Sequence, residues 1–194
     1  RAFKVLVVRD NACTVSITVR MLFLPVEMTN IIRRSCIHEY ISWIERNLVL
    51  FDSGISHVSG ELHKEVWLKF NNGDQNVRDG LDRIRNMTGE MLEAIEGESK
   101  ERFAHSMSRG NWGVNQLGAG FNAPFERYLE PLQLEHSIMA WKVMGAGAGG
   151  VVGVLFNDGY NREKVYQLAK QQGWTEIKWA VEPQGIQREV NLHE

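Results

Sequence analysis

Six small residues in the last third of the sequence could handle a phosphate group. They form the run Gly145-Ala146-Gly147-Ala148-Gly149-Gly150, which follows Lys142 and precedes an apolar segment at 151–156. Glycine has no Cβ atom, so its backbone can take positive φ angles, and successive N–H groups can then converge on an anion. The residues leave one alternative open, a tight hairpin loop in which the glycines serve packing alone.

Two well-known phosphate motifs do not fit this run. Its spacing matches the Gly-x-Gly-x-x-Gly fingerprint of dinucleotide-binding turns, in which the glycines follow a strand and open a helix that holds the pyrophosphate. Here the glycines precede Val151-Val152-Gly153-Val154-Leu155-Phe156, which is typical of a buried strand. A P-loop is excluded as well, because no Gly-Lys-Ser/Thr follows the glycines.

Two segments carry a resemblance to a known family. Lys142-Val143-Met144-Gly145-Ala146-Gly147-Ala148-Gly149-Gly150-Val151 resembles the third conserved motif of the GHMP kinases, a Lys-x-x-Gly-Ala-Gly-x-Gly-Gly loop. Upstream, Leu50-Phe51-Asp52-Ser53-Gly54-Ile55-Ser56-His57-Val58-Ser59-Gly60-Glu61 resembles the strand and Gly-Ile-Ser turn of the heptose-phosphate kinase branch. The order of segments is also that of this branch. From about Thr14 onward the chain is similar to the C-terminal domain of the galactokinase and heptose-phosphate kinase class.

The resemblance implies roles for both segments. A loop of Lys142, Gly145, Ala146, Gly147, Ala148, Gly149 and Gly150 would brace the phosphate site, and Ser53, Gly54, Ser56, His57 and Ser59 would face the acceptor. It also implies transfer of phosphate from ATP to a sugar or sugar phosphate, with ATP and Mg²⁺ as cofactors of the complete enzyme. The departures from the family pattern are Met144, Ala148, Val151 and His57. Since His57 stands where this branch tends to carry arginine, specificity for a phosphorylated sugar is left open.

Two parts of a GHMP kinase have no counterpart in this sequence. These are the second motif, Pro-x-x-x-Gly-Leu-Gly-Ser-Ser-Ala, which wraps the ATP phosphates, and the catalytic aspartate that follows it. Asp10 and Asp52 lack that neighbouring motif, so we assign no catalytic residue. We therefore expect one domain, 1–194, that resembles the C-terminal half of a kinase without the ATP-binding half and is not catalytic alone.

A second hypothesis is a non-catalytic module of the same kind, an orphan or truncated gene product. Such a module would bind a small ligand, or self-associate as a homodimer through the surface that the missing half would cover. An abrupt start at Arg1, with strand-like sequence directly after it, favours a truncated product.

Other reactive side chains lack the spacing of a site. The six histidines do not follow a metal-ligand pattern, and Cys13 and Cys36 stand far apart, so we expect no metal site and no disulfide framework. A hydrolase is unsupported, because no Gly-x-Ser-x-Gly elbow occurs. Trp112, close to Arg109, Asn111 and Asn115, could line a sugar site or simply fill packing space.

Apolar periodicity places these residues in an α+β fold. We predict an antiparallel sheet with helices packed on one face, which the resemblance makes the ferredoxin-like C-terminal domain of a GHMP kinase. The predicted strands are a hairpin of 3–8 and 14–24, a central strand at 48–51, and strands at 141–144, 151–156 and 174–181. The predicted helices are 27–47, 59–70, 75–96, 98–107, 124–140 and 161–173, with breaks at 108–111 and 115–123.

Composition limits the partners. The 194 residues are 43% hydrophobic, enough for the core of one domain, and the net charge of -2 gives no attraction for nucleic acid or an anionic membrane. Apolar runs stop well short of membrane-spanning length. We therefore expect no nucleic-acid or membrane partner. The separated cysteines favour reduced thiols and a cytoplasmic location, and the resemblance implies a sugar or sugar phosphate as the partner.

Overall fold

A computed structural model describes residues 2–4, 6–8, 21–24, 35–55, 59–118, 120–145 and 147–181. The strands are β1 (Ala2–Lys4), β2 (Leu6–Val8), β3 (Met21–Leu24), β4 (Leu48–Asp52), β5 (Ala140–Val143), β6 (Val151–Leu155), β7 (Thr175–Ile177) and β8 (Trp179–Val181). The helices are α1 (Ser35–Asn47), α2 (Ser59–Asn71), α3 (Gln75–Glu96), α4 (Lys100–Gln116), α5 (Ala123–Leu134) and α6 (Glu163–Gln172).

An antiparallel sheet of four strands, in the order β5-β6-β4-β7, forms the centre of the molecule. Its β4 strand lies between β6 and β7, which confirms the prediction of a central strand at 48–51. The α+β class and the antiparallel sheet are confirmed as well. Two further antiparallel pairs join β1 to β3 and β2 to β8.

Helices cover both faces of this sheet, not one. Val49 and Phe51 of β4 pack against Phe125 of α5 and Val165 of α6. The alternate β4 residues face a second cluster, formed with α1, α3 and α4. Each residue from Leu48 to Phe51 is buried, and a strand that is apolar at every position needs cover on both sides.

The longest helices, α3 and α4, lie side by side over one face of the sheet. Asp74 caps α3 by accepting a hydrogen bond from Val77 N, and the helix ends before Gly97, so its predicted bounds are confirmed. The predicted break at 108–111 is wrong, because α4 runs on to Gln116. Its glycines are packing positions: a Cβ atom on Gly113 would lie 3.0 Å from the Gly80 carbonyl oxygen.

Several other boundaries differ from the predictions. α5 ends at Leu134, because His136 takes a positive φ of 59° and Ser137 N turns back to donate to Leu132 O. The predicted last strand is two strands, since β7 pairs with β4 while β8 pairs with β2. The predicted hairpin turn at 9–12 and the first part of the predicted helix at 27–47 lie outside the described residues.

None of the described helices combines the length and the apolar composition that crossing a membrane would require.

Candidate functional site

The predicted phosphate loop is the hairpin connection between β5 and β6. Met144 N donates to Val151 O over 2.8 Å and closes the hairpin at the base of the loop. Ala146 lies outside the described residues. Left-handed backbone is concentrated here, with φ values of 74° at Gly145, 83° at Gly147, 62° at Ala148 and 66° at Gly150. Glycine meets this requirement without strain, and Ala148 is the one described position of the four that is not glycine.

The turn after β4 holds one end of this loop. The Ser53 hydroxyl donates to Gly150 O over 2.8 Å, and Ser53 N donates to the same oxygen over 2.9 Å. In return Gly150 N donates to Ile55 O over 3.1 Å. The two segments that the resemblance singled out, 97 residues apart in sequence, therefore touch.

The middle of the loop rests on Phe121. Ala148 N donates to Phe121 O over 2.6 Å, and a Cβ atom on Gly147 would come within 2.8 Å of the Phe121 Cβ. Gly147 is thus required for close packing. Gly145, in contrast, is exposed and has open space where a Cβ would stand. The loop is therefore tightly packed at Gly147 and open to solvent at Gly145.

The structure describes only some of the other residues that were predicted to face an acceptor. Gly54 is exposed, with φ 66°, and its N–H donates to Asp52 Oδ1 over 2.9 Å. Ser56 and His57 lie outside the described residues, and Ser59 is the first residue of α2. The predicted roles of these side chains stay predictions.

Lys142 projects away from the loop, toward α4. Its Nζ donates to the neighbouring Val143 O over 2.8 Å, and its Cε atom lies 3.2 Å from where a Cβ of Gly110 would be. Burial lowers the pKa of its ammonium group to about 8, because the charged form loses water. The lysine of the motif thus belongs to the contact between β5 and α4.

A separate groove of about 700 Å³ runs between α4 and α5 along the edge strand β5. Asn111, Trp112 and Asn115 line it, whereas Arg109, which sequence analysis placed beside them, does not. None of the described residues of the glycine loop or of the Ser53 turn belongs to its lining.

Asparagine side chains brace the wall of this groove. Asn111 Nδ2 donates to Trp141 O over 2.6 Å, and Asn122 Nδ2 donates to Asn111 O over 3.0 Å and to Asn115 Oδ1 over 2.8 Å. Asn115 Nδ2 then donates to Glu126 Oε1 over 2.7 Å. The sequence signal was the density of asparagine around 111–122, but which partner each amide takes depends on tertiary packing.

No group of three or more metal-binding side chains capable of holding an ion occurs in the part of the chain that the structure describes.

Comparisons with known proteins bear on the fold. Neither a family model nor a curated protein sequence matches the chain. Among solved structures, a Lin0012 protein from Listeria innocua matches 70% of this chain at 16% identity and a TM-score of 0.57. The L. major mevalonate kinase, solved in complex with R-mevalonate, matches 70% at 14% identity and a TM-score of 0.54. The fold is GHMP-like. The matches cover 39% and 42% of those two chains, so this chain spans about two fifths of their length.

Proposed function

We propose that this GHMP-like domain is the C-terminal half of an ATP-dependent kinase of small hydroxylated compounds. The observation that carries the proposal is the hydrogen-bonded junction between the glycine hairpin and the Ser53 turn, which joins the two segments that resemble the family. The likeness in fold to a mevalonate kinase supports it.

In this proposal the glycine hairpin contacts the phosphate through backbone groups and not through side chains. Phosphoryl transfer depends on positioning and on stabilising charge at the phosphate oxygens. The bare, left-handed backbone at Gly145 suits the close approach of an anion, while the contacts to Phe121 and Ile55 hold the loop still. ATP and Mg²⁺ would be held largely by the other half of the enzyme, since this sequence has no motif that wraps the nucleotide phosphates.

The proposed acceptor is a sugar or sugar phosphate. Gly54 and the turn around it would face the acceptor hydroxyl, next to the Gly150 end of the hairpin. The mevalonate kinase with a similar fold was solved with R-mevalonate, which makes a hydroxylated acid the natural competing acceptor to test.

Two matched glycines test the anion site. Gly145 and Gly159 are both exposed, both left-handed and both without a neighbour within 4 Å of a built Cβ. Alanine at each position should therefore strain the backbone equally. We expect inorganic pyrophosphate to shift the amide NMR signals of Gly145 and Gly150. Gly145→Ala keeps the N–H group but places a Cβ atom in the open space beside it and disfavours the left-handed backbone, so it should weaken this binding roughly tenfold.

The Gly159→Ala control, in the loop between β6 and α6, should bind pyrophosphate as the parent does. Equal weakening in Gly159→Ala, or amide shifts that avoid the hairpin, would refute the anion site. The purified chain should also leave ATP intact in the presence of sugars, sugar phosphates or R-mevalonate, and turnover by this chain alone would contradict a half-enzyme.

A second candidate is a non-catalytic module that self-associates. Trp67 and Leu68, adjacent on α2, expose 60% and 65% of their surface, an unusual position for two large apolar side chains. The use of the Ala148 and Gly150 N–H groups within the protein also suits a hairpin built for packing.

A further inference from the structure

The groove between α4 and α5 has the chemistry of a ligand site that is distinct from the glycine hairpin. Its carboxylates are Glu101, in the first turn of α4, and Glu126 and Glu130, one turn apart on α5. No lysine or arginine is among the described residues that line it, and His105 and His136 are its other ionisable side chains. A groove of this kind repels phosphate and favours a cation.

A buried acceptor in the wall points to a ligand with hydrogen-bond donors. Asn111 is 6% exposed, and its Oδ1, which has less than 1 Å² of accessible surface, has no partner among the described residues, so a ligand would reach it after a small shift of the side chain. The amide cannot be turned to remove this acceptor, because Nδ2 is needed to donate to Trp141 O. An unpaired buried acceptor is costly unless a donor reaches it.

The third feature of the groove is the indole ring of Trp112. Trp112 lines the groove with 44% of its surface exposed, and the Arg83 guanidinium lies 4.0 Å from the centre of its ring. The ring thus already attracts a cation on one face. The nearby Arg109 is engaged outside the lining, in an ion pair with Glu90 at 3.1 Å.

From these three features we propose that the groove binds a small aliphatic diamine or polyamine. Such a ligand is positively charged and rich in donors, and its separated amino groups can meet carboxylates placed on two different helices. Glu126 would offer the oxygen that Asn115 does not use. Glu130 forms no ion pair with the described residues. A single metal ion fits less well, because the described side chains form no metal-binding cluster.

Spermidine is the probe, and isothermal titration with tryptophan fluorescence is the measurement. Trp112 and Trp141 both line the groove, so binding should change the emission. We expect one saturable site. Replacing Glu126 and Glu130 together by glutamine should weaken it at least about tenfold, since each substitution keeps the shape and removes a charge contact.

The matched control removes two charges elsewhere. Glu96→Gln combined with Glu163→Gln changes exposed residues on α3 and α6, outside the groove, and should leave the affinity unchanged. Equal weakening by both double variants would mean diffuse surface attraction and would overturn the proposal. Absence of saturable binding would overturn it too, and so would equal binding of sorbitol, a neutral polyol.

Discussion

At the scale of single residues, Lys142 shows how one side chain can follow a family motif and still serve a local structural purpose. Its ammonium donates to Val143 O and its stem packs at Gly110, whereas the loop it precedes is bonded through Ser53, Ile55 and Phe121. Burial lowers its pKa from 10.5 to about 8. The charged form is therefore less stable in the folded chain than in the unfolded chain.

Stability should consequently depend on pH through Lys142. Between about pH 8 and pH 10.5 the unfolded chain holds a proton that the folded chain has lost, so the free energy of unfolding rises with pH across this window. Lys142→Met should stabilise the protein at pH 7 by about 1–2 kcal/mol, and the gain should fade as the pH passes 10. Urea denaturation at several pH values measures this difference.

The control for this prediction is Lys170→Met, at an exposed lysine in the last turn of α6. Its effect should stay within about 0.5 kcal/mol at each pH. A Lys142→Met variant whose stability change is the same at pH 7 and pH 10 would contradict the burial argument.

At the scale of elements, the contact between α3 and α4 depends on glycine. A Cβ atom on Gly80 would lie 2.6 Å from Gly113 O and 2.9 Å from the Gln116 Cβ. Both obstacles are close to the backbone of α4, so they cannot move aside as a side-chain tip would. The two helices can approach this closely only because neither carries a side chain at the crossing.

Alanine substitutions within α3 should therefore have opposite effects. Gly80→Ala should destabilise the protein by about 1–3 kcal/mol through overpacking. Gly89→Ala, in the same helix but with nothing within 4 Å, should stabilise it by about 0.5–1 kcal/mol through helix propensity. Thermal and urea unfolding of the two variants measure the contrast. A stabilising Gly80→Ala would show that the helices are less tightly packed.

Helices α3 and α4 also show which features could be predicted from the sequence and which could not. Apolar periodicity is a local signal and predicted the bounds of α3, and the structure shows Asp74 and Gly97 as local caps at its two ends. Gly110 and Gly113 give the same local signal as a turn, yet they lie inside α4 because the neighbouring helix needs the space. Likewise, the glycine hairpin could be recognised from its residues, whereas the asparagine groove depends on side chains from α4 and α5 meeting in space.

At the scale of the whole molecule, the exposed apolar pair on α2 is the feature that bears on assembly. The opposite side of α2 packs through Val66 against Val77 and Phe121, so the helix is already anchored to the domain. Trp67 and Leu68 nevertheless expose 60% and 65% of their surface, with the Trp67 ring in edge contact with Phe70. An exposed pair of this size favours contact with a second apolar surface.

We predict that the chain forms a concentration-dependent homodimer through this pair. Trp67→Ser combined with Leu68→Ser should shift the equilibrium to monomer in sedimentation equilibrium experiments. Leu134→Ser, at a leucine on α5 that is 74% exposed, is the control and should leave the dimer intact. A monomer at high protein concentration for the parent chain would refute self-association and leave the half-enzyme as the better interpretation.

Among the described strands β5 lies at an edge of the sheet, and its outer side bears on whether the domain pairs with strands of other molecules. An edge strand exposes carbonyl groups that invite the strand of another molecule. Here three donors already occupy consecutive outward positions, with Gln133 on Met139 O, Asn111 on Trp141 O and Lys142 on Val143 O. Because these carbonyl groups already accept hydrogen bonds within the domain, this edge is a poorer template for pairing with a strand of another molecule.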